Sequence, residues 1–213
     1  KDCSYKLYPI EDVTLATELF SMDNAKGFNV TIPYKETIIP LLNELDPVAK
    51  AIGAVNTVVI KNGKKIGYNT DAYGFHKSIK PFLTFEHERA LILGTGGASK
   101  AVKHVLESIG LQCVMVSRSP KQGDITYEQI NKEVLGFYKL IVNCTPLGTF
   151  PKVNEAPVLP YEHLSPAHLL YDLVYNPAKT LFMQKGEEQG ATVLNGYDML
   201  VGQAEKAWEI WNS

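Results

Sequence analysis

The chain has 213 residues, 45% hydrophobic and 21% charged, with a formal net charge of -2. That length holds one large or two small domains, and the composition is ordinary for a soluble globular protein. Such a balance offers no footprint for nucleic acid or a membrane surface. No apolar run approaches the roughly 20 residues needed to span a bilayer, and the residues show no signal-peptide pattern, repeat or low-complexity tract.

In chain order, residues 3–10 alternate as a strand and 13–20 have helical spacing. Residues 28–32 read as a short strand, after which Pro33 opens an amphipathic helix. Ile38, Leu41, Leu42 and Leu45 supply its apolar stripe at i, i+3, i+4 and i+7. Residues 54–61 and 64–69 read as strands around Asn62-Gly63, a tight-hairpin dipeptide because both positions accept positive φ. Asp71 opens a helix to about Ile79, Pro81 ends it, and 82–88 forms a domain junction.

From Arg89 the pattern becomes parallel α/β. Strands are expected at 89–93, 113–117, 140–144, 169–174 and 191–194, with helices at 98–109 and 179–189. A last helix covers 197–211, and Gly110 stops the helix at 98–109. The expected architecture is α/β: an N-terminal α/β domain (1–84, rejoined by 197–213) and a Rossmann-type domain (85–196).

Cys3, Cys113 and Cys144 show no metal or CxxC spacing. Cys113 and Cys144 lie in apolar runs, where a buried free thiol is the expected state, and a reducing cytoplasm fits best. His76, His87, His104, His163 and His168 have no ligand spacing, so no metal is expected, and Glu187 and Glu188 read as an exposed helix face.

The run RALILGTGGASKAV is an apolar strand, a glycine turn and a helix start. In that context a dinucleotide fingerprint has meaning. Gly94 makes the tight turn and Gly96 lets backbone approach a pyrophosphate. Free N–H groups of Thr95, Gly97 and Ala98 at the helix start receive the anion. Ser99 stands at the third glycine position, a small departure. The plainer alternative is a tight βα connection with no nucleotide.

An NAD site places an acid about 20 residues on, to hold the ribose hydroxyls. The next strand here ends instead in Ser117, Arg118, Ser119 and Lys121. A carboxylate repels a 2′-phosphate, whereas guanidinium, ammonium and hydroxyl donors bind one, so NADP is the expected cofactor. The alternative is a pair of solvated loop cations.

The first domain holds FNVTIPYK, GAVNT and GYNTDAYGF, and the second VSRS, VNCTPLGT, YDLVYNP and NGYDMLVGQA. Together with the glycine turn, these resemble the motifs of shikimate dehydrogenases, in the same order and over nearly the whole chain. The resemblance implies reversible, NADP-dependent reduction of 3-dehydroshikimate to shikimate, in the chorismate route to aromatic amino acids. Lys35 matches the family's catalytic lysine and Asp71 its paired aspartate. Thr31, Asn56 and Gln203 match groups that hold the substrate, and Tyr175 a tyrosine near substrate and nicotinamide. Asn143, Thr145, Leu173 and Gly196 fall where the family lines the cofactor cleft.

These residue types suit the chemistry. Hydride delivered to a ketone creates an alkoxide, which needs a proton donor within hydrogen-bond reach. An ammonium both stabilises that charge and supplies the proton. Each residue also has a plainer role. Lys35 is an exposed first-turn lysine, Asp71 an N-cap, Asn56 a hairpin residue, Gln203 a solvated helix position, Thr31 a strand-surface hydroxyl and Tyr175 a turn aromatic.

Two departures stand out. The family carries paired serine hydroxyls for the substrate carboxylate on an early strand-to-helix loop, and no such loop precedes Lys1. With no initiator methionine, a longer gene product is expected, adding about one strand and one helix. Thr149 stands where the family often has methionine. Two other functions are weighed: a quinate/shikimate dehydrogenase, and a non-catalytic sensor of shikimate-like ligands. The expected partner is a small-molecule substrate, and the expected state a monomer or homodimer.

Overall fold

A computed structural model describes residues 3–213, and two sheets organise it. The first part runs through α1 (Ala16–Leu19), β1 (Gly27–Asn29), β2 (Glu44–Leu45), α2 (Pro47–Ile52), β3 (Thr57–Lys61) and β4 (Lys64–Tyr68). Its sheet has the order β1-β3-β4-β2 and is antiparallel except where β2 meets β4. Asn62 and Gly63 take φ of 52° and 75°, so the β3–β4 hairpin forms where the dipeptide places it.

α3 (Thr70–Ile79) leads to β5 (Arg89–Leu93), α4 (Gly97–Ser108), β6 (Gln112–Ser117), β7 (Ile125–Thr126), α5 (Lys132–Phe137) and β8 (Leu140–Asn143). Then follow β9 (Leu169–Asp172), α6 (Leu181–Glu187), β10 (Thr192–Leu194) and α7 (Tyr197–Asn212). These six strands pair in parallel in the order β10-β9-β8-β5-β6-β7. The chain winds from β5 toward β7, then resumes at β8 on the other side of β5. This reversal opens a crevice beyond the carboxyl ends of β5 and β8, the usual ligand position in such sheets.

Two sequence expectations fail. Residues 3–10 form no strand: they join no ladder, and most are exposed. Their ties to the fold include Tyr5 Oη donating to Asn29 Oδ1 at 3.0 Å, the Tyr5 ring beside Trp211, and the Ile10 carbonyl accepting from Tyr34 Oη at 2.9 Å. The amphipathic helix after Pro33 is also absent. Turns occupy its span, followed by a 3-10 turn at Ile39–Leu41 and β2. Pro40 explains this, because inside a helix it lacks the N–H for the i−4 bond and its ring meets the preceding turn. The apolar spacing still serves burial, with Ile38 only 2% exposed. The strand expected at 28–32 is confined to β1. Three elements had no sequence expectation: β7, α5 and α2, the last capped by Asp46 and ended by Gly53 at φ 71°.

One apolar cluster joins α3 to the parallel sheet. Phe75 and Ile79 on α3 pack with Ile92, Val102, Leu140 and Tyr171. The Phe75 and Tyr171 rings meet edge-on at 5.1 Å, and Tyr171 Oη lies 2.7 Å from Ser78 Oγ. Burying one phenylalanine stabilises by roughly 1.5–3 kcal/mol. α7 then returns to lie on α3, and Trp211 Nε1 donates to Val58 O on β3 at 3.0 Å. Among the described residues no helix is long and apolar enough to cross a membrane.

Small residues set the α3–α7 distance. A Cβ at Gly74 would lie 2.4 Å from Met199 O, and one at Gly202 would lie 3.1 Å from Gly74 Cα. Glycine inside a helix costs about 1 kcal/mol, so packing must demand it here. Gly74→Ala is expected to lower stability by about 1–3 kcal/mol, as overpacking does. A thermal melt equal to that of the unmodified protein would show that the helices separate freely.

Candidate active site

Local chain geometry brings distant side chains to one point. Lys35 lies in a turn whose backbone is pinned by Val55 N–H donating to Lys35 O at 2.7 Å. Asn69 caps α3, accepting from Ala72 N at 3.1 Å. The capping role open to Asp71 is therefore filled by Asn69, and the Asp71 carboxylate faces inward. Lys35 Nζ donates to Asp71 Oδ2 at 2.6 Å, with side-chain exposures of 16% and 9%.

Asn56, just before β3, completes the cluster. Its Nδ2 lies 2.9 Å from Asp71 Oδ1, 2.9 Å from Thr70 Oγ1 and 3.3 Å from Gln203 Oε1. An amide has two hydrogens, so it serves two of these acceptors at a time. Asn56 Oδ1 in turn accepts from Thr70 N at 2.7 Å, which fixes the amide's orientation. Gln203, 147 residues away in sequence, arrives because Gly74 and Gly202 let α7 approach α3. Thr70 is a member that sequence reasoning passed over, although it stands inside the NTDAYGF motif.

Two expected members sit apart. Thr31 is exposed, and its carbonyl accepts from Tyr34 N, but its hydroxyl makes no bond to the cluster. Tyr175 is 48% exposed in the loop after β9, with no bond to Lys35, Asn56, Asp71 or Gln203.

The glycine turn lies directly beside this cluster. Gly94 has φ 107°, open in practice only to glycine. A Cβ at Gly96 would meet nothing within 4 Å, so the protein's own packing leaves the approach clear. A Cβ at Gly97 would lie 3.4 Å from Lys35 Cβ and 3.5 Å from Ala54 Cβ. The lysine stem thus crosses the head of α4. One residue on, Glu36 accepts from Lys100 Nζ at 2.6 Å. Ser99 is 1% exposed, and its hydroxyl has no hydrogen-bond partner among the described residues; the Cys144 thiol lies beside it. A clear cradle at a helix N-terminus fits a phosphate-bearing cofactor.

Beyond β6, Ser117 Oγ accepts from Ser119 N at 3.2 Å and Ser119 Oγ from Lys121 N at 3.4 Å. Each hydroxyl keeps its own hydrogen to donate. Arg118 and Lys121 are exposed, and neither makes an ion pair among the described residues. The nearby acid, Asp124, is turned away, its Oδ2 accepting from Met115 N at 2.8 Å.

The crevice walls are also fixed. Asn143 Oδ1 accepts from Thr145 N at 3.0 Å and from Thr145 Oγ1 at 2.6 Å. A Cβ at Gly196 would lie 2.1 Å from Leu173 O, so only glycine lets the start of α7 meet that strand end. Asp172 is fully buried behind Asn143 and was not foreseen; its signal was a carboxylate in the apolar run LLYDLV. Burial dominates the buried histidines, pushing His87 and His168 down, and His168 Nε2 lies 2.9 Å from Leu135 O in the core. Burial also pushes the Cys113 thiol up to about 12. Glu187 and Glu188 are exposed, and Glu187 pairs with Lys179.

The model of the shikimate dehydrogenase substrate binding domain matches residues 2–58. A protein of Desulforamulus reducens, shikimate dehydrogenase (NADP(+)), is 34% identical over 97% of this chain and 78% of its own length. The crystal structure of shikimate dehydrogenase from Aquifex aeolicus aligns with TM-score 0.84 at 36% identity, covering 96% of this chain and 79% of that one. Shikimate 5-dehydrogenase from Thermus thermophilus, solved in complex with NADP(H) and shikimate, aligns with TM-score 0.83 at 31% identity, over 96% and 79%.

Proposed function

This chain belongs to the shikimate dehydrogenase family, and from that premise we propose that it catalyses the reversible NADPH-dependent reduction of 3-dehydroshikimate to shikimate. The observation that carries the reading is the double contact of Lys35. Its ammonium bonds Asp71 at 2.6 Å while its stem crosses Gly97 at the head of the glycine-turn helix. A proton donor therefore adjoins the cofactor cradle.

NADPH, when bound, supplies the hydride. Lys35 has three N–H donors, of which Asp71 takes one. The others stabilise the negative charge on the substrate oxygen and deliver its proton. Asp71 aims the ammonium, and Asn56 holds the far oxygen of Asp71. Thr31, Asn56, Gln203 and Tyr175 are assigned to the substrate hydroxyls and ring. Gly94, Thr95, Gly96, Gly97 and Ala98 receive the pyrophosphate, and Ser117, Arg118, Ser119 and Lys121 the 2′-phosphate. Asn143, Thr145, Leu173 and Gly196 line the nicotinamide side.

The same reading divides the chain into a substrate part, 1–84 with 197–213, and a nucleotide part, 85–196. The separate sheets and the packing of α7 on α3 support that division. Its three free cysteines accord with a cytoplasmic enzyme. The folded protein is expected to consume NADPH when given 3-dehydroshikimate. No loss of absorbance at the nicotinamide band would refute the assignment.

A further inference from the structure

Asp172 is a carboxylate with 0% exposure and, among the described residues, no cation in ion-pair range. Such a group is expensive to bury. Burial pushes its carboxyl up to about 6, opposed by the hydrogen bonds it accepts. Three elements supply those bonds: Asn143 Nδ2 at 2.9 Å, Val174 N at 3.0 Å and Thr180 Oγ1 at 2.6 Å.

The first bond and the Thr145 N–H together decide which way Asn143 faces. With Nδ2 committed to Asp172, Asn143 presents Oδ1 to both donors of Thr145. A flipped amide would set its N–H groups against the Thr145 N–H. Thr145 Cγ2 in turn sits 3.3 Å from where a Cβ on Gly94 would lie, so this loop rests on the glycine turn. The second bond fixes the opposite wall. Val174 O accepts from Gly196 N at 3.2 Å, beside the tight contact of Leu173 with Gly196. The third bond ties Oδ2 to the cap of α6, where Thr180 Oγ1 accepts from Met183 N.

We propose that Asp172 is a positioning residue for the dinucleotide. With the Thr145 N–H it sets the amide orientation of Asn143, and it holds both walls of the crevice, without touching the cofactor itself. This rests on the NADP reading above. Capping α6 is a separate task, performed through the other carboxylate oxygen.

The test is direct binding rather than turnover. NADPH and shikimate are titrated separately, by fluorescence, against the full chain and its variants at a temperature where each is folded. Asp172→Ala is expected to raise the NADPH Kd about tenfold or more, the scale of losing hydrogen bonds to a charged group. The shikimate Kd should stay within about twofold. Asp172→Asn keeps an acceptor for Asn143 and Val174 and should restore most of the NADPH affinity. Thr180→Val removes only the cap arm and should leave NADPH binding unchanged. If the alanine variant does not fold, Asp172→Ser carries the same prediction, since its shorter, uncharged side chain replaces the charged acceptor of Asn143 and Val174 by a single hydroxyl.

A lower melting temperature with an unchanged NADPH Kd would overturn the proposal, and so would equal losses for NADPH and shikimate. If the unmodified protein bound no NADPH, the functional reading would fall and this inference with it. If it bound and Asp172→Ala bound equally, only this inference would fall.

Discussion

Lys35→Ala is expected to lower kcat by roughly 10²–10⁴-fold, the usual worth of a positioned general acid. KM for 3-dehydroshikimate should change much less. The argument turns on which state the ammonium serves. Its bond to Asp71 exists before substrate arrives, at 2.6 Å, so the lysine is already aimed. Its gain comes as charge develops on the substrate oxygen, and interactions made mainly in the transition state appear in kcat. A rise in KM with kcat intact would mean that the lysine only binds.

A second effect accompanies the first. Asp71 is 6% exposed, and without Lys35 it would keep Asn56 but, among the described residues, no cation. A lower melting temperature is therefore expected, because a buried carboxylate stripped of its partner is destabilising. Lys35→Ala/Asp71→Asn should recover stability and no turnover. Recovery of both would mean that the lost activity was a folding defect.

The parts of the fold legible in the sequence were those where local chemistry agrees with tertiary demand. Asn62-Gly63 gave its hairpin because few residues accept two positive φ values. The apolar runs of β5 and β8 read as buried parallel strands, and both are fully buried or nearly so. The segment after Pro33 misled because its spacing is helical while Pro40 forbids a helix; burial of Ile38 explains the spacing without one. Residues 3–10 misled because alternation states a preference and a strand needs a partner.

The site divides in a similar way. Lys35, Asn56, Asp71 and Gln203 were named from motif resemblance, and the fold brings all four within one hydrogen-bonded cluster. Local pattern could not supply that convergence. It depends on a Gly74–Gly202 crossing between helices more than a hundred residues apart. Asp172 escaped notice because its meaning lies in Asn143, Val174 and Thr180, and only Val174 is near it in sequence.

Arg118→Ala is expected to weaken NADPH by roughly 10–100-fold. A charge-assisted hydrogen bond is worth about 1.5–3 kcal/mol, and about 1.4 kcal/mol is one factor of ten. Arg118 stands at the end of β6, where the adenosine of a dinucleotide lies in this type of fold, and no carboxylate competes for it among the described residues. Asp124, the acid nearest in sequence, is held by Met115 N, so a 2′-phosphate would meet donors on this loop. Ser117 and Ser119 shape the loop by accepting backbone N–H groups, which leaves Arg118 as its main charge and Lys121 as a lesser one. NADH lacks the 2′-phosphate and should be affected far less. The selectivity should also shrink at high salt, because the guanidinium is exposed. Kinetics of Arg118→Ala with both cofactors, at low and high ionic strength, checks each step. Equal losses for NADPH and NADH would mean that the arginine grips the adenine or braces the loop, and that phosphate selectivity resides elsewhere.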